Sequence, residues 1–381
     1  MIIRIRAAKL LGSCPVAVAL LLGLVVDQSS QTRGQPGSVL VHAVDATEPL
    51  RDREPVIIST DMAMGLNTGN RNGTALSIPD IDDSYAFALA AAHHLDVRGV
   101  VVTMGNSMVK PAMVTARATV HAVGSDVPVV RGAEIWLPVE PLATADGTTF
   151  SNACVNDGVR FMAKELRRSG GLTIAAIGPL TDVACLALNY PEEAKLIKRV
   201  VALVGSKPTT PLEIYGHAAV DFNYVMDPRA ESIVLEHTSI PFTAINFELS
   251  SLGQLPITEL QALATSPDPV AQFFGRSSQR YLTWWAAALG PAKPIWDAAV
   301  VWHLIRPADH LCQQVGFQLK PGSPLSNDVT DTFSPAFTGT RQVTACTGFT
   351  SQQAMADYQR AVLSSVSGHS DPDEPTQIDQ Q

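Results

Sequence analysis

Residues 55–90 read PVIISTDMAMGLNTGNRNGTALSIPDIDDSYAFALA. The stretch opens on an apolar β-branched run, Val56 to Ile58, passes through a Gly- and Asn-rich segment, and ends with Asp80, Asp82 and Asp83 at the head of an apolar helical pattern. A strand with no polar alternate face is buried on both sides, as a parallel strand covered by crossover helices is. The alternation continues downstream through "VRGVVVTMG", "KPAMVTARATVHAVG", "VPVVRG", "NDGVRFMAKELRRSG", "LTIAAIG", "TDVACLALNY" and "KRVVALVG". Short apolar runs taking turns with helical ones predict an α/β fold, a mostly parallel central sheet with helices on both faces. In such an open sheet ligands bind beyond the carboxyl ends of the strands, so the polar residues that follow each strand are the candidates for chemistry.

The remaining composition narrows the class. The chain has 381 residues, 46% hydrophobic and 17% charged, enough for one large core. A net charge of −9 without a Lys/Arg cluster speaks against nucleic acid or an anionic membrane surface as partner and for a small neutral or polar ligand. At the N-terminus Arg4, Arg6 and Lys9 precede the apolar run Val16 to Val26, and a polar Ser/Gln/Gly stretch follows. That layout predicts a signal peptide and a secreted or periplasmic protein, with an uncleaved anchor as the alternative. The expected organisation is a signal peptide and polar linker over 1–36, a single α/β domain over 37–365, and a disordered polar tail over 366–381. Within the second half, "MDPRAESIVLEH", "PITELQALATS", "DPVAQFFGRSSQRYLTWWAAALG" and "AMADYQRAVLSSV" predict helices and "IPFTAINFE" a strand.

Loss of the leader removes Cys14 and leaves Cys154, Cys185, Cys312 and Cys346, an even number that an oxidising compartment can pair. Cys312 with Cys346 is the preferred bridge; Cys185, in "TDVACLALNY", also suits a buried helix face as a free thiol. No C-x-x-C zinc spacing occurs.

The strand ends carry a set of oxygens. Asp61 follows "VIIST", and Asp82 and Asp83 begin a helix, where an Asp can cap free N–H groups. Adjacent carboxylates facing a third repel unless a cation or a raised pKa relieves them, and a hard cation such as Ca²⁺ accepts carboxylates and carbonyls together. Asn106 ends "VVVTMGN", Gly178-Pro179 turns the Ile177 carbonyl toward the same rim, and "IWDAAVVWHL" sets Trp296 and Asp297 at another helix head. In "AAVDFNYVMDPRAE" an extended period of 2 predicts Asp221 and Asn223 on one side. Such a rim suits a hydroxyl-rich ligand with a planar group, and Lys293 is almost its sole cation.

These residues resemble the inosine-uridine type nucleoside hydrolases. "STD" at Ser59–Asp61 and "DIDD" at Asp80–Asp83 are similar to the halves of the family's D-x-D-P-G-x-D-D signature. The likeness continues through "DVPVVRGAE", "IAAIGPLTDVACLALNYPE", "DFNYVMDPRAE" and "IWDAAVVWHL", over roughly residues 55 to 365. The resemblance implies Ca²⁺-dependent hydrolysis of the N-glycosidic bond of ribonucleosides. Asp61 would serve as metal ligand and as base toward the attacking water. It further implies Asp83, the Ile177 carbonyl and Asp297 as metal ligands, with Asp82, Asn106, Asp221, Asn223 and Asp297 at the ribose. A homo-oligomer is common in such a family. A non-catalytic nucleoside or sugar binding protein, or a hydrolase of another N-ribosyl compound such as a nicotinamide riboside, are the alternatives.

Four departures from the family pattern stand out. Ser59 replaces an aspartate, residues 62–81 replace a short P-G-x link and bring in Asp80, Asp221 replaces Glu, and Trp296 replaces a frequent His. A Trp there resembles the purine-preferring members, and a purine bias is expected from it; Trp136 and Phe150 lie where the family forms base-contacting loops. His93, His94, His217, His303 and His310 lack a carboxylate partner that spacing assigns, and Asn72-Gly73-Thr74 is a formal glycosylation acceptor.

Overall fold

A computed structural model of the chain describes residues 54–66, 79–137, 154–208, 213–320 and 330–367, with the backbone of a two-residue strand at Ile2–Ile3. The rest of the leader and linker, the Asn72-Gly73-Thr74 triplet, Phe150, the middle of the 62–81 insertion and the tail beyond residue 367 lie outside the described residues.

Among the described residues, nine strands form the main sheet: β1 Val56–Thr60, β2 Val97–Val102, β3 Val129–Arg131, β4 Leu172–Ala176, β5 Ile197–Leu203, β6 Phe242–Ile245, β7 His310–Lys320, β8 Thr330–Ser334 and β9 Val343–Phe349. Their spatial order is β8-β7-β9-β6-β5-β4-β1-β2-β3. From β9 to β3 every neighbouring pair is parallel, whereas β7 runs antiparallel to both β8 and β9. The fold is therefore α/β with a mostly parallel central sheet.

The helices that frame the argument are α1 Asp82–Ala92, α2 Val109–Ala122, α3 Asp157–Ser169, α4 Thr181–Asn189, α5 Phe222–Met226, α6 Pro228–Glu236, α7 Pro269–Ala288, α8 Ala298–Ile305 and α9 Gln352–Ser365. Successive strand side chains point to opposite faces, and the two hydrophobic cores follow that period. Ile58, Val100, Val102 and Ala175 pack with α1, α2, α7, α8 and α9, while Ile57, Val101, Ile174 and Ala176 pack with α3, α4 and α6. Helix ends follow ordinary capping: Asn156 accepts the Val159 N–H at the head of α3, and Asp268 accepts that of Ala271 at the head of α7.

Two sequence expectations need correction or extension. Asp221 and Asn223 do not lie on an extended segment: Asp221 is the N-cap of α5, its side chain accepting the Tyr224 N–H at 3.1 Å, and Asn223 sits in the first turn. Local side chain to backbone bonding overrides the strand-like pattern of "AAVDFN". The antiparallel strands β7 to β9 were not legible as strands, because β7 (HLCQQVGFQLK) lies toward the edge of the sheet and exposes much of its length. Cys312 and Cys346 face one another across β7 and β9 and are joined, and Cys154 is joined to Cys185 of α4.

The chain begins its sheet at β1, runs outward through β2 and β3, and returns on the other side of β1 to β4 and β5. That reversal makes the carboxyl ends of β1 and β4 the topological switch point of the sheet.

Candidate active site

Asp61 leaves the end of β1 and Ile177 the end of β4, side by side at the switch point. Asp61 is 1% exposed, and its Oδ2 accepts the Asn106 backbone N–H at 2.6 Å. The Asn106 side chain then donates Nδ2–H to Asp83 Oδ2 at 3.3 Å, and Thr60 donates its hydroxyl to Asp83 Oδ1. Two glycines make the slot. A Cβ on Gly105 would overlap the Asp61 carboxylate, and one on Gly178 would stand 2.8 Å from the Asp61 nitrogen.

Carboxylates at helix heads usually cap, but these do not. The N-cap of α1 is Ile81, and neither it nor Asp297, the N-cap of α8, makes a side-chain capping bond. Instead Asp82, Asp83 and Asp297 each bring one oxygen to within 4.8 Å of the others, and all three are buried. Burial pushes the Asp61 carboxyl up to about 7 against the Asn106 amide, and pushes Asp82 up to about 8 with Asp80 and Asp83 adding to the rise. Burial likewise holds Asp83 and Asp297 well above the carboxylate range, with the neighbouring aspartates reinforcing it. Desolvated carboxylates this close need a positive charge or shared protons. A donor set made only of carboxylate and carbonyl oxygens, three of them convergent, fits a hard divalent cation of the calcium type.

Asp80 does not join that cluster. It accepts the Ile81 N–H at 2.7 Å and pairs with Lys293 at 3.2 Å. Burial raises the Asp80 carboxyl, but the Lys293 ammonium together with the Ile81 amide and the Tyr281 hydroxyl holds it below the ordinary range.

Beyond the acids a pocket of about 440 Å³ opens, the solvent at its mouth included. Asp61, Asp82, Asn106, Ile177, Asp221, Asn223, Trp296 and Asp297 all line it, and Asp83 stands just behind through its bonds to Thr60 and Asn106. The candidate residues taken from separate strand ends thus meet in one place. Asp221 lines the cavity with both oxygens committed to backbone, Oδ2 accepting the Gly205 N–H at 2.6 Å and Oδ1 that of Tyr224. Asn223 donates to the Leu203 carbonyl at 3.1 Å and to that of Ile177 at 3.4 Å. Ser59 is buried, and its Oγ has no hydrogen-bond partner among the described residues.

The planar end is built from Trp296 and Phe247, stacked 6.3 Å apart at 21°. Trp296 donates Nε1–H to Ser251 Oγ at 3.0 Å and is 2% exposed. Phe247 and Ser251 went unread in the sequence, although Phe247 in "FTAINFE" stands just past the carboxyl end of β6 and the strand-end rule reaches it. The tempting alternatives fall elsewhere: Trp136 is exposed and outside the cavity lining, and His303 and His310 stack on one another, Nδ1 to Nδ1 at 3.3 Å, beside the Cys312–Cys346 bridge.

Comparison with known proteins follows the same lines. The sequence pattern of the family described as "Inosine-uridine preferring nucleoside hydrolase" matches residues 79–367. A Shewanella sp. (strain MR-7) protein named pyrimidine-specific ribonucleoside hydrolase RihA is 29% identical over 214 residues, 51% of this chain and 64% of its own length. A Klebsiella pneumoniae protein named non-specific ribonucleoside hydrolase RihC is 27% identical over 233 residues, 56% of this chain and 67% of its own. Among solved structures, an inosine-guanosine nucleoside hydrolase superposes with a TM-score of 0.63 at 20% identity, covering 82% of this chain and 98% of the other. A purine-preferring ribonucleoside hydrolase from Gardnerella vaginalis gives 0.61 at 15% identity, over 83% and 100%. The family match begins at residue 79, near the end of the 62–81 insertion, so Asp61 enters the site on geometry, through its bond to Asn106 and its place in the cavity wall. Matched over more than half of its length by the family pattern, the chain belongs to the inosine-uridine preferring nucleoside hydrolase family.

Proposed function

We propose that the protein is a Ca²⁺-dependent hydrolase of the N-glycosidic bond of ribonucleosides, releasing ribose and a free base. The observation that carries this reading is the convergence of Asp82, Asp83 and Asp297, three helix-head carboxylates that cap nothing, beside Asp61 at the switch point. Asp61, Asp83, Asp297 and the Ile177 carbonyl would hold the calcium, which would supply Lewis acidity toward an attacking water.

The side chains account for the remaining requirements. Asp61, fixed by the Asn106 amide, takes the proton of the attacking water. Asp82, Asn106, Asn223 and Asp297 surround the ribose, the two amides holding its hydroxyls and the negative charge of the two aspartates stabilising the oxocarbenium-like sugar that forms as the bond to the base breaks. Trp296 and Phe247 receive the base. Trp296 carries the expectation of a purine bias, whereas the relative named pyrimidine-specific points the other way.

A non-catalytic nucleoside binder is the second reading, favoured by the commitment of both Asp221 oxygens to backbone amides. Release of free base from a panel of nucleosides, with EGTA and with calcium restored, separates the two. Chelator-sensitive release supports the hydrolase, and binding of nucleoside with calcium present but no release defeats it. We also propose that the chain is exported, on the N-terminal signal pattern and on the bonding of all four cysteines downstream of it.

A further inference from the structure

The wall that meets the base is one indole thick, and a buried charge stands against it. Lys293 is 0% exposed, its Nζ 3.5 Å from the centroid of the Trp296 ring, 4.9 Å from that of Trp285 and 5.5 Å from that of Tyr281. It donates to the Pro294 carbonyl at 2.6 Å, pairs with Asp80 at 3.2 Å, and lies 3.9 Å from Asp82. Lys293 is absent from the cavity lining, whereas Trp296 is part of it. The ammonium thus lies against the Trp296 ring and outside the cavity lining.

An aromatic face attracts cations because its π-density is negative, and a cation already held on the ring draws that density toward itself. The cavity side of Trp296 is correspondingly a poor platform for a positively charged base and a good one for a base gaining negative charge. No cationic, imidazole or phenol side chain among the described residues on the cavity wall offsets such charge. Among the described residues that line it there is no His, Lys, Arg or Tyr, and the Trp296 N–H is a donor only, engaged by Ser251.

We propose that Lys293, acting through the Trp296 ring, is a specificity-determining residue that sorts nucleosides by the charge their base carries on departure. This inference rests on the hydrolase reading. In the step concerned, the bond from water oxygen to C1′ forms and the C1′–N bond breaks. The electron pair leaves on the base, the water proton passes to Asp61, and the base takes a proton from solvent afterwards. Uridine, whose base leaves with negative charge, is favoured; nicotinamide riboside, whose base starts cationic and leaves neutral, is disfavoured. Asp80 moderates the field of Lys293.

The test uses the full calcium-loaded chain and compares kcat/KM for uridine with that for nicotinamide riboside. Wild type prefers uridine, Lys293→Met lowers the uridine to nicotinamide riboside ratio about tenfold, and Asp80→Asn, which uncovers the ammonium, raises it. A merely structural role would depress both substrates in proportion and leave the ratio fixed. A wild-type preference for nicotinamide riboside, or ratios in folded variants within about twofold of wild type, overturns the proposal. If Lys293→Met fails to fold by circular dichroism, Asp80→Asn decides alone, and an unchanged ratio overturns the proposal. If wild type releases base from neither compound nor from the wider panel, it is the hydrolase reading that has failed.

Discussion

Asp61 shows how a residue's neighbours assign its work. It is buried, receives the Asn106 amide on one oxygen, and lies beside carboxylates that cap no helix. Replacing it with Asn keeps the volume and removes the proton acceptor. Asp61→Asn is expected to lower kcat for base release about 10³-fold while the circular dichroism spectrum is unchanged. A variant retaining more than about a tenth of the wild-type rate would remove Asp61 from the role of base. The sequence placed Asp82, Asp83 and Asp297 at helix heads but could not separate caps from ligands, since both put Asp at the same position. Only the missing cap bonds and the convergence of their oxygens separate them. Asp80 was harder still, because its partner Lys293 is more than two hundred residues away in the chain and no local pattern links them.

At the level of elements, the parallel strands and their helices were legible because each carries its own periodicity. The rim β8-β7-β9 was not, since β8 is the edge strand and β7 beside it exposes much of its length, so polar and apolar residues mix there. The β7–β9 pair is also where the Cys312–Cys346 bridge sits, across a sequence separation of 34 residues. A bridge closing a loop of that length stabilises mainly by restricting the unfolded chain. The double variant Cys312→Ser, Cys346→Ser is expected to lose about 3 kcal/mol in urea unfolding, and an unaltered midpoint would show that the bridge constrains little. The short helix α5 records a different kind of illegibility: Asp221 reads as a ribose contact in an extended run, yet it ties the segment after β5 to α5 through two backbone amides.

For the molecule as a whole, the cost of gathering buried carboxylates at the switch point sets how stability responds to pH and calcium. Asp61 and Asp82 are raised to about 7 and about 8, with Asp83 and Asp297 raised too. A carboxyl whose folded pKa exceeds its unfolded one stabilises fully below the ordinary carboxylate range and loses that contribution as pH rises through the folded value. The chelated protein is therefore expected to lose thermal stability from these groups between about pH 4 and about pH 8. Under the proposed function calcium would replace the lost protons, so a calcium-dependent gain in Tm is expected to grow across the same interval. A gain that is flat with pH in scanning calorimetry would argue against a cation among these acids. His303 and His310 act at the other end. Burial depresses them to about 4 and about 3, so they stay neutral in the fold. Their contribution is present above the ordinary histidine range and is lost as pH falls through those values, bending the stability curve down in acid with or without calcium.

The two glycines that wall Asp61 carry a consequence for how this protein can change. Neither touches the planar end of the cavity, yet any side chain at Gly105 overlaps the Asp61 carboxylate and one at Gly178 crowds its backbone. In a library that varies every position, both should tolerate substitution as poorly as the acids themselves. Adaptation to new bases is then channelled away from the switch point and toward Phe222, Phe247 and the Trp296 side, where the walls are apolar side chains free to trade volume.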